Sequence, residues 1–279
     1  MAEIAFVGDL ILHAPGTEAY FDRCRDAIRA DVAVAQVEWP HTDRGFVCAF
    51  EVPAPAAPPE NLAALADLSG HWIDKVHQRR PPRIIVLDMD LSESPTYGEQ
   101  EGSAYNGHFG CTCYHPLFVF NQLGDVERCA LRPGNVHSAD GWRAVLEPVI
   151  ARYRGTVRRL YFRGDAAFAN PEMYEFLEAE GAGYTIRLPA NNVLQNRIAY
   201  LLKRPAGRPP HEVRRYFASF SYEAQRWKKP RRVVAKVEWH PAELYPRVGF
   251  IVTNLARPAE RVVGFYNQSG TAEQWIKIL

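Results

Sequence analysis

The chain of 279 residues has no CxxC pair, and its five cysteines, an odd number, are scattered at 24, 48, 111, 113 and 129. That spacing excludes a disulfide framework and suits a reducing compartment. No stretch approaches the roughly 18 apolar residues that a membrane span requires. The opening MAEIAFVGDLILH carries Glu3 and Asp9 where a signal peptide would carry a basic segment. No G-x4-G-K-S/T loop occurs, which argues against ATP use. Neither sign of charge dominates: 33 Lys and Arg stand against 32 Asp and Glu, a net +1, so a nucleic-acid signal must come from local clustering. Internal repeats and low-complexity tracts are absent too. With 47% apolar and 23% charged residues, the expectation is a soluble intracellular protein of one large domain or two modest ones.

What is present falls into different textures. Residues 3–8 (EIAFVG) and 31–38 (DVAVAQVE) read as strands, with a short helix over 20–29 between them. Four prolines within 53–59 mark a linker, followed by a helix capped near Asn61. A better ordered pattern starts near Ser69. Strands are expected at 82–90 (PRIIVLDMD), 113–120 (CYHPLFVF) and 126–133 (VERCALRP), joined as an antiparallel meander. Ser138 is the expected cap of a helix with Trp142, Val145, Leu146, Val149, Ile150 and Tyr153 on one face, ended by Gly155. A strand at 157–165 follows, then a helix opened by Asn170-Pro171 and closed by Gly181, then a strand at 184–189. The order β-β-β-α-β-α-β predicts an α/β fold with a ribonuclease-H-like core, a mixed five-stranded sheet with helices. Its last two connections are helical crossovers, so those strands should run parallel. From about 204 to 255 three more strands (213–224, 231–240, 247–255) read as a β-rich insertion before a last helix at 270–278.

Carboxylates stand at the ends of these elements. Asp88 and Asp90 close the first strand of the core and, at period two, face the same side. Asp165 follows the fourth strand, which the proposed fold lays beside the first, and Glu273 begins the last helix. Clustered carboxylates repel one another and persist where a divalent cation neutralises them. Oxygen-only ligation favours Mg²⁺ or Mn²⁺ over zinc. Two such ions would activate a water or a 3′-hydroxyl and stabilise the leaving oxygen in phosphoryl transfer.

The run LDMDLSESPTYGEQEGSAYNGHFGCTCYHPLFVF, then LRPGNVHSADGW, FRGDAAFANPEMYEFLE, KVEWHPAELYPRVGFIVTNL and FYNQSGTAEQWIK resembles the IS1380 family of DDE transposases, within the wider IS4-like group. The resemblance covers about 69–279. It implies DNA cleavage and strand transfer at insertion-sequence ends, with Mg²⁺ or Mn²⁺ held by two aspartates and a glutamate. On this chain the triad falls on Asp90 or Asp88, on Asp165 and on Glu273. Asp90 is favoured because Ser92 follows it closely, although Leu91 stands where a small hydroxyl residue is usual. In the group's signature Y-x2-R-x3-E-x6-K, Tyr266 and Glu273 fit, Ser269 replaces the arginine, and the lysine would fall one residue past Leu279. The arginine and lysine would contact DNA backbone, so the resemblance carries the expectation of a C-terminally truncated copy with little or no activity. The implied partner is double-stranded DNA, both terminal inverted repeats and target, in a bacterial, nucleoid-associated cytoplasmic setting and off any membrane. A homodimer on DNA is compatible with this and not required by it.

Residues 1–68 have another character. EIAFVGDLILH, DVAVAQVEWPHTDRG and PAAPPENLAALADL resemble the start of CapA-like capsule-synthesis proteins of the metallophosphatase fold, in which Asp9 and Glu38 would be metal ligands. Without the downstream asparagine-histidine ligands such a short α/β fragment is expected to be inactive. Within the insertion, Arg214, Arg215, Arg226, Lys228, Lys229, Arg231 and Arg232, interleaved with Tyr222 and Trp227, form the charge cluster expected for phosphate backbones, with aromatic rings to stack on bases. A solvated hairpin tip is the alternative for the charges. Cys111, Cys113 and His115 share a strand face but lack a second ligand pair, so packing is expected there and not zinc. His108 and His137 read as turn and cap residues. Two competing functions remain from the sequence: a non-catalytic DNA-binding relic, and a capsule-synthesis metallophosphatase fragment.

Overall fold

The computed structural model describes the backbone of residues 4–11, 32–38, 46–47, 53–54, 59–98, 100, 102–204, 211–241, 243–270, 274 and 276, and side chains from Ala66 onward. The chain divides into two compact units, Met1–Leu68 and Ser69–Leu279. In the first, β1 (Ile4–Ile11) pairs in parallel with β2 (Val32–Glu38), their register shifting between Val7 and Leu10, where Asp9 stands. A short antiparallel pair, β3 (Phe46–Val47) and β4 (Pro53–Ala54), follows. The helix expected at 20–29 lies outside the described residues. Helix α1 (Pro59–Arg79) begins two residues ahead of Asn61, with a proline at its first position, where a missing N–H removes nothing.

The second unit is built on one sheet. Its strands are β5 (Ile84–Leu91), β9 (Leu117–Asn121), β10 (Val126–Ala130), β11 (Arg159–Gly164), β12 (Gly183–Leu188), β13 (Arg214–Tyr222), β14 (Arg231–Trp239) and β15 (Arg247–Thr253). Their spatial order is β10-β9-β5-β11-β12-β15-β14-β13. The β10–β9 and β9–β5 pairs are antiparallel, and β5–β11 and β11–β12 are parallel. Helix α2 (Trp142–Tyr153) crosses from β10 to β11, and α3 (Pro171–Ala179) from β11 to β12. The sheet thus has eight strands where five were expected. The insertion extends it because β15 pairs antiparallel with β12 and covers an edge whose N–H and C=O groups would otherwise stay open.

Three local expectations are corrected. CYHPLFVF is broken at Pro116, which has no N–H for a ladder. The segment Cys111–Tyr114 (β8) instead joins β6 (Ser94–Pro95) and β7 (Ala104–Asn106) in a small separate sheet. Ser138 does not cap α2, which starts at Trp142 after Gly141, a glycine with φ of 69°. The turn before it is closed by the Asp140 Oδ2, which accepts from the His137 amide at 3.1 Å. Finally, a helix not expected from the sequence, α5 (Ala259–Asn267), follows β15. A short helix, α4, spans Asn192–Arg197. The last helix expected at 270–278 falls mostly outside the described residues.

Alternation along the strands gives the sheet two faces. Ile85, Leu87, Met89, Phe162, Tyr184, Ile186, Val233 and Phe250 face the large core, which α2 and α3 cover with Leu146, Val149, Tyr174 and Leu177. Tyr161, Val234 and Ile251 face the other way, under Val262 and Val263 of α5. Among the described residues no helix is long and apolar enough to cross a membrane. Gly134 ties the small sheet down: a Cβ there would lie 2.5 Å from the carbonyl oxygens of Ala104 and Cys113. Gly134→Ala should therefore destabilise the unit by about 1–3 kcal/mol, read as a lowered urea midpoint at unchanged slope.

Candidate active site at the carboxyl ends of two parallel strands

On the α5 face, β5 presents Val86, Asp88 and Asp90 in turn, and β11 presents Tyr161 and Arg163. The register pairs Arg163 with Asp88 and Gly164 with Met89, so Asp165, next along, stands level with Asp90. Asp90 is half-buried, and one of its carboxylate oxygens accepts from the Leu91 amide at 2.8 Å. Asp165 is exposed and caps a 3-10 turn, accepting from the Ala167 amide at 2.9 Å. The carboxyl ends of two neighbouring parallel strands thus carry two carboxylates side by side.

Asp88 does something different. It is 1% exposed, and the Arg163 guanidinium donates to both its oxygens, at 2.6 and 2.5 Å. Burial pushes the Asp88 carboxyl above its ordinary value, against the pull of Arg163. The guanidinium thus engages both Asp88 oxygens in one buried ion pair. Arg163 also donates through Nη1 to the Phe265 carbonyl at 3.1 Å and to the Gln268 side chain at 3.4 Å, and its guanidinium lies over the Phe265 ring. The carboxyl end of α5 is therefore held at the Asp90–Asp165 end of the sheet, and the chain that continues toward Glu273 leaves from there. Glu273 itself lies outside the described residues.

Arg187 completes the row. Because Gly164 pairs with Ile186, Arg187 of β12 stands level with Asp165 on the same face, exposed. It lines a cavity of about 250 Å³ with Lys236, Tyr266 and Asn267. Tyr266 is half-buried at the end of α5, and Ser269 follows it, its amide donating to the Tyr266 carbonyl at 2.9 Å. Neither Arg163 nor Arg187 stood out in the sequence, since each lies in a strand among apolar neighbours. The signal for Arg163 was its position two residues before Asp165 on an otherwise buried strand.

The basic cluster of the insertion is only partly a surface. Trp227 is 7% exposed and packs edge-on against Tyr174 and Tyr222, so it is a core residue and not a platform for a base. Arg231 is buried as well: it donates to both oxygens of Glu178, at 2.8 and 3.0 Å, and sits over the Tyr174 and Trp227 rings. Arg232 donates to the Ser219 hydroxyl and to the Leu255 and Arg257 carbonyls. Lys228 pairs with Glu175 at 2.7 Å and Lys229 with Glu178 at 3.0 Å, both lysines exposed. Arg226 is exposed and lines a broad depression with Tyr222, Asn170 and Asn191. Cys113 is buried, and the Cys111 thiol donates to Glu93, which pushes its pKa up to about 11.

Among the described residues no three His, Cys, Asp or Glu side chains are grouped to hold a metal ion. The donors present fit a hard divalent cation: two carboxylates at adjacent strand ends, with the third expected ligand, Glu273, beyond the described residues. Residues 47–279 match the family described as Transposase DDE domain group 1, and the chain belongs to that family. The match begins within the first compact unit, and residues 1–46 lie outside it. None of the curated proteins matches the chain. Among solved structures it is similar to the Mos1 transposase paired-end complex with left transposon end, at 15% identity over 64% of this chain and 52% of that one, TM-score 0.25. A pre-cleavage Mos1 transpososome is matched at 12% identity over 66% and 57%, TM-score 0.25. Marinitoga piezophila Argonaute in complex with 5′ OH guide RNA and target DNA is matched at 8% over 94% and 48%, TM-score 0.26. At these TM-scores the likeness carries no structural argument, and the chain spans about half the length of those chains.

Removing one partner of a buried ion pair strands the other. Arg163→Ala should cost about 3–5 kcal/mol, and Arg163→Met with Asp88→Leu should recover much of that loss, both read by chemical denaturation. Burial pushes the Glu178 carboxyl up, but hydrogen bonds from Arg231, Lys229 and Tyr184 hold it below its ordinary 4.5. Its folded pKa being depressed, the stability that this cluster contributes is full above the unfolded value and drains as pH falls through the folded one. Glu178→Gln should therefore flatten the acid limb of a stability-against-pH curve, which a series of thermal melts checks.

Proposed function

We propose that residues 69–279 are the ribonuclease-H-like catalytic domain of an IS1380-type DDE transposase, which cuts DNA at insertion-sequence ends and transfers the strand. The observation that carries this reading is the level placement of Asp90 and Asp165 at the carboxyl ends of adjacent parallel strands. The strand order, three antiparallel strands and then two parallel ones behind helical crossovers, supports it. So does the family to which the chain belongs. The engagement of Asp88 by Arg163 favours Asp90 as the first carboxylate of the set.

In this reading Asp90, Asp165 and Glu273 hold Mg²⁺ or Mn²⁺. When bound, the metal supplies Lewis-acid activation of the attacking hydroxyl and stabilises the leaving oxygen. The chain's own residues do the rest. Asp90 is oriented by the Leu91 amide and Asp165 by the Ala167 amide, so each presents its carboxylate without searching rotamers. Arg163 acts as a positioning residue, fixing β5, β11 and the end of α5 in one hydrogen-bonded unit. Arg187, beside Asp165, offers a guanidinium to the non-bridging oxygens of the phosphate, on the side where the Tyr266 ring closes the cavity. It supplies the charge that neutral Ser269 cannot. Double-stranded DNA in a bacterial cytoplasm is the partner this chemistry requires.

Metal-dependent nicking of a duplex bearing the element's own ends tests the assignment. Asp90→Asn and Asp165→Asn should each slow it at least about a hundredfold, near 3 kcal/mol, and Arg187→Ala about tenfold. Wild-type rates in either aspartate variant would sink the reading.

A further inference from the structure

Several arginines of the second unit have acidic partners. Arg152 takes Asp74 and Glu127, each at 3.0 Å, Arg154 takes Glu180, Arg215 takes Glu238, and Arg247 takes Glu243. Among the described residues without such a partner, five lie together. Arg79 and Arg80 end α1, Arg83 leads into β5, and Arg158 and Arg159 lead into β11; all are exposed. The Arg158 and Arg159 amides both donate to the Arg83 carbonyl, at 2.9 and 3.3 Å, which clamps the two basic runs side by side. Among the described residues the side chains of Arg79, Arg80, Arg83 and Arg158 make no ion pair or hydrogen bond. Arg159 reaches only the Tyr161 hydroxyl, at 3.5 Å.

Three carboxylates of the adjoining elements are already engaged, Asp74 and Glu127 by Arg152 and Glu180 by Arg154. Arg158 and Arg159 line a cavity of about 330 Å³ with Arg154 and Tyr161. Arg79 has a local reason to be basic, since a cation in the last turn of a helix complements its dipole. The other four have none, and like charges gathered without counter-charge raise the free energy of the fold unless a polyanion is bound there. Fork-shaped guanidiniums recognise phosphate oxygens in pairs. An acidic protein partner would be expected to meet aromatic anchors as well as charge; the rings beside Arg158 and Arg159, Tyr161 and Tyr153, are both buried, and the exposed Trp72 stands two turns before Arg79 on α1.

We infer that Arg79, Arg80, Arg83, Arg158 and Arg159 form a second DNA-binding surface, which holds the phosphate backbone of a duplex segment separate from the one at the carboxylates. It lies at the amino ends of β5 and β11, whereas Asp90 and Asp165 stand at their carboxyl ends, about 20 Å away at roughly 3.3 Å per residue. The inference rests on the transposase reading for the identity of the polyanion, but its geometry does not depend on which residues cut.

The salt dependence of binding to a duplex of generic sequence tests it. Each phosphate neutralised contributes about 0.9 to the slope of log K against log salt. The triple variant Arg80→Ala, Arg83→Ala, Arg158→Ala should lower that slope by about 2–3 with the melting temperature unchanged. The corresponding triple lysine variant should restore it. A wild-type slope in the alanine variant overturns this surface and leaves the catalytic reading standing. Altered self-association at a wild-type slope would assign the patch to a protein surface and overturns it equally. Failure of the wild-type chain to bind duplex DNA at low salt overturns both readings together.

Discussion

A guanidinium and a carboxylate taken out of water between β5, β11 and α5 set the positions of everything nearest the candidate site. Desolvating such a pair is costly, and the cost is offset only where the remaining donors also find acceptors. Arg163 meets that condition: two donors go to Asp88, a third group to the Phe265 carbonyl and Gln268, and the cation rests on an aromatic face. The pair also decides a register that apolar residues alone leave open. Parallel strands have no tight turn to align them, and sliding β11 by two residues on β5 would keep every side chain on its own face. One such slip would set Arg163 against Asp90 and consume a carboxylate of the site, and the other would leave a buried cation beside Val86. Only the observed register satisfies Arg163 and leaves Asp90 level with Asp165.

Much of this arrangement is legible in the order of residues alone. The period-two alternation of the central strands and the stripe on α2 give their inward faces, because local periodicity is imposed by the pleat and the helical turn. The adjacency of Asp90 and Asp165 follows from the order of elements and the handedness of helical crossovers. What the residue order misses has physical causes. Helix α5 carries Val262, Val263 and Gly264, poor helix formers that are helical here because the valines fill the space over Tyr161, Val234 and Ile251. The join of the insertion to β12 is a long-range pairing that no local pattern encodes.

Basic residues are the least legible of all. In the sequence Arg231, Lys228 and Arg158 are the same kind of signal, a cation among cations. In space they differ by what lies opposite. Arg231 meets Glu178 inside an aromatic box, Lys228 meets Glu175, and Arg158 meets no acid. Three cations of the insertion, Lys228, Lys229 and Arg231, meet acids of α3, Arg215 meets Glu238 on the next strand, and Arg226 faces the depression beside Asn170.

Charge is therefore polarised along the same strands. The carboxyl ends of β5 and β11 gather Asp90 and Asp165, and their amino ends gather Arg83, Arg158 and Arg159. Neither end is neutralised by the other, because the strands between them carry apolar residues and one self-contained ion pair. An acidic end suits a divalent cation and a basic end suits phosphate, so one sheet can hold a polyanion at two places while admitting metal at one. A net charge of +1 summed over the chain conceals this separation. The separation, and not the sum, is what a DNA molecule approaching within a Debye length would feel.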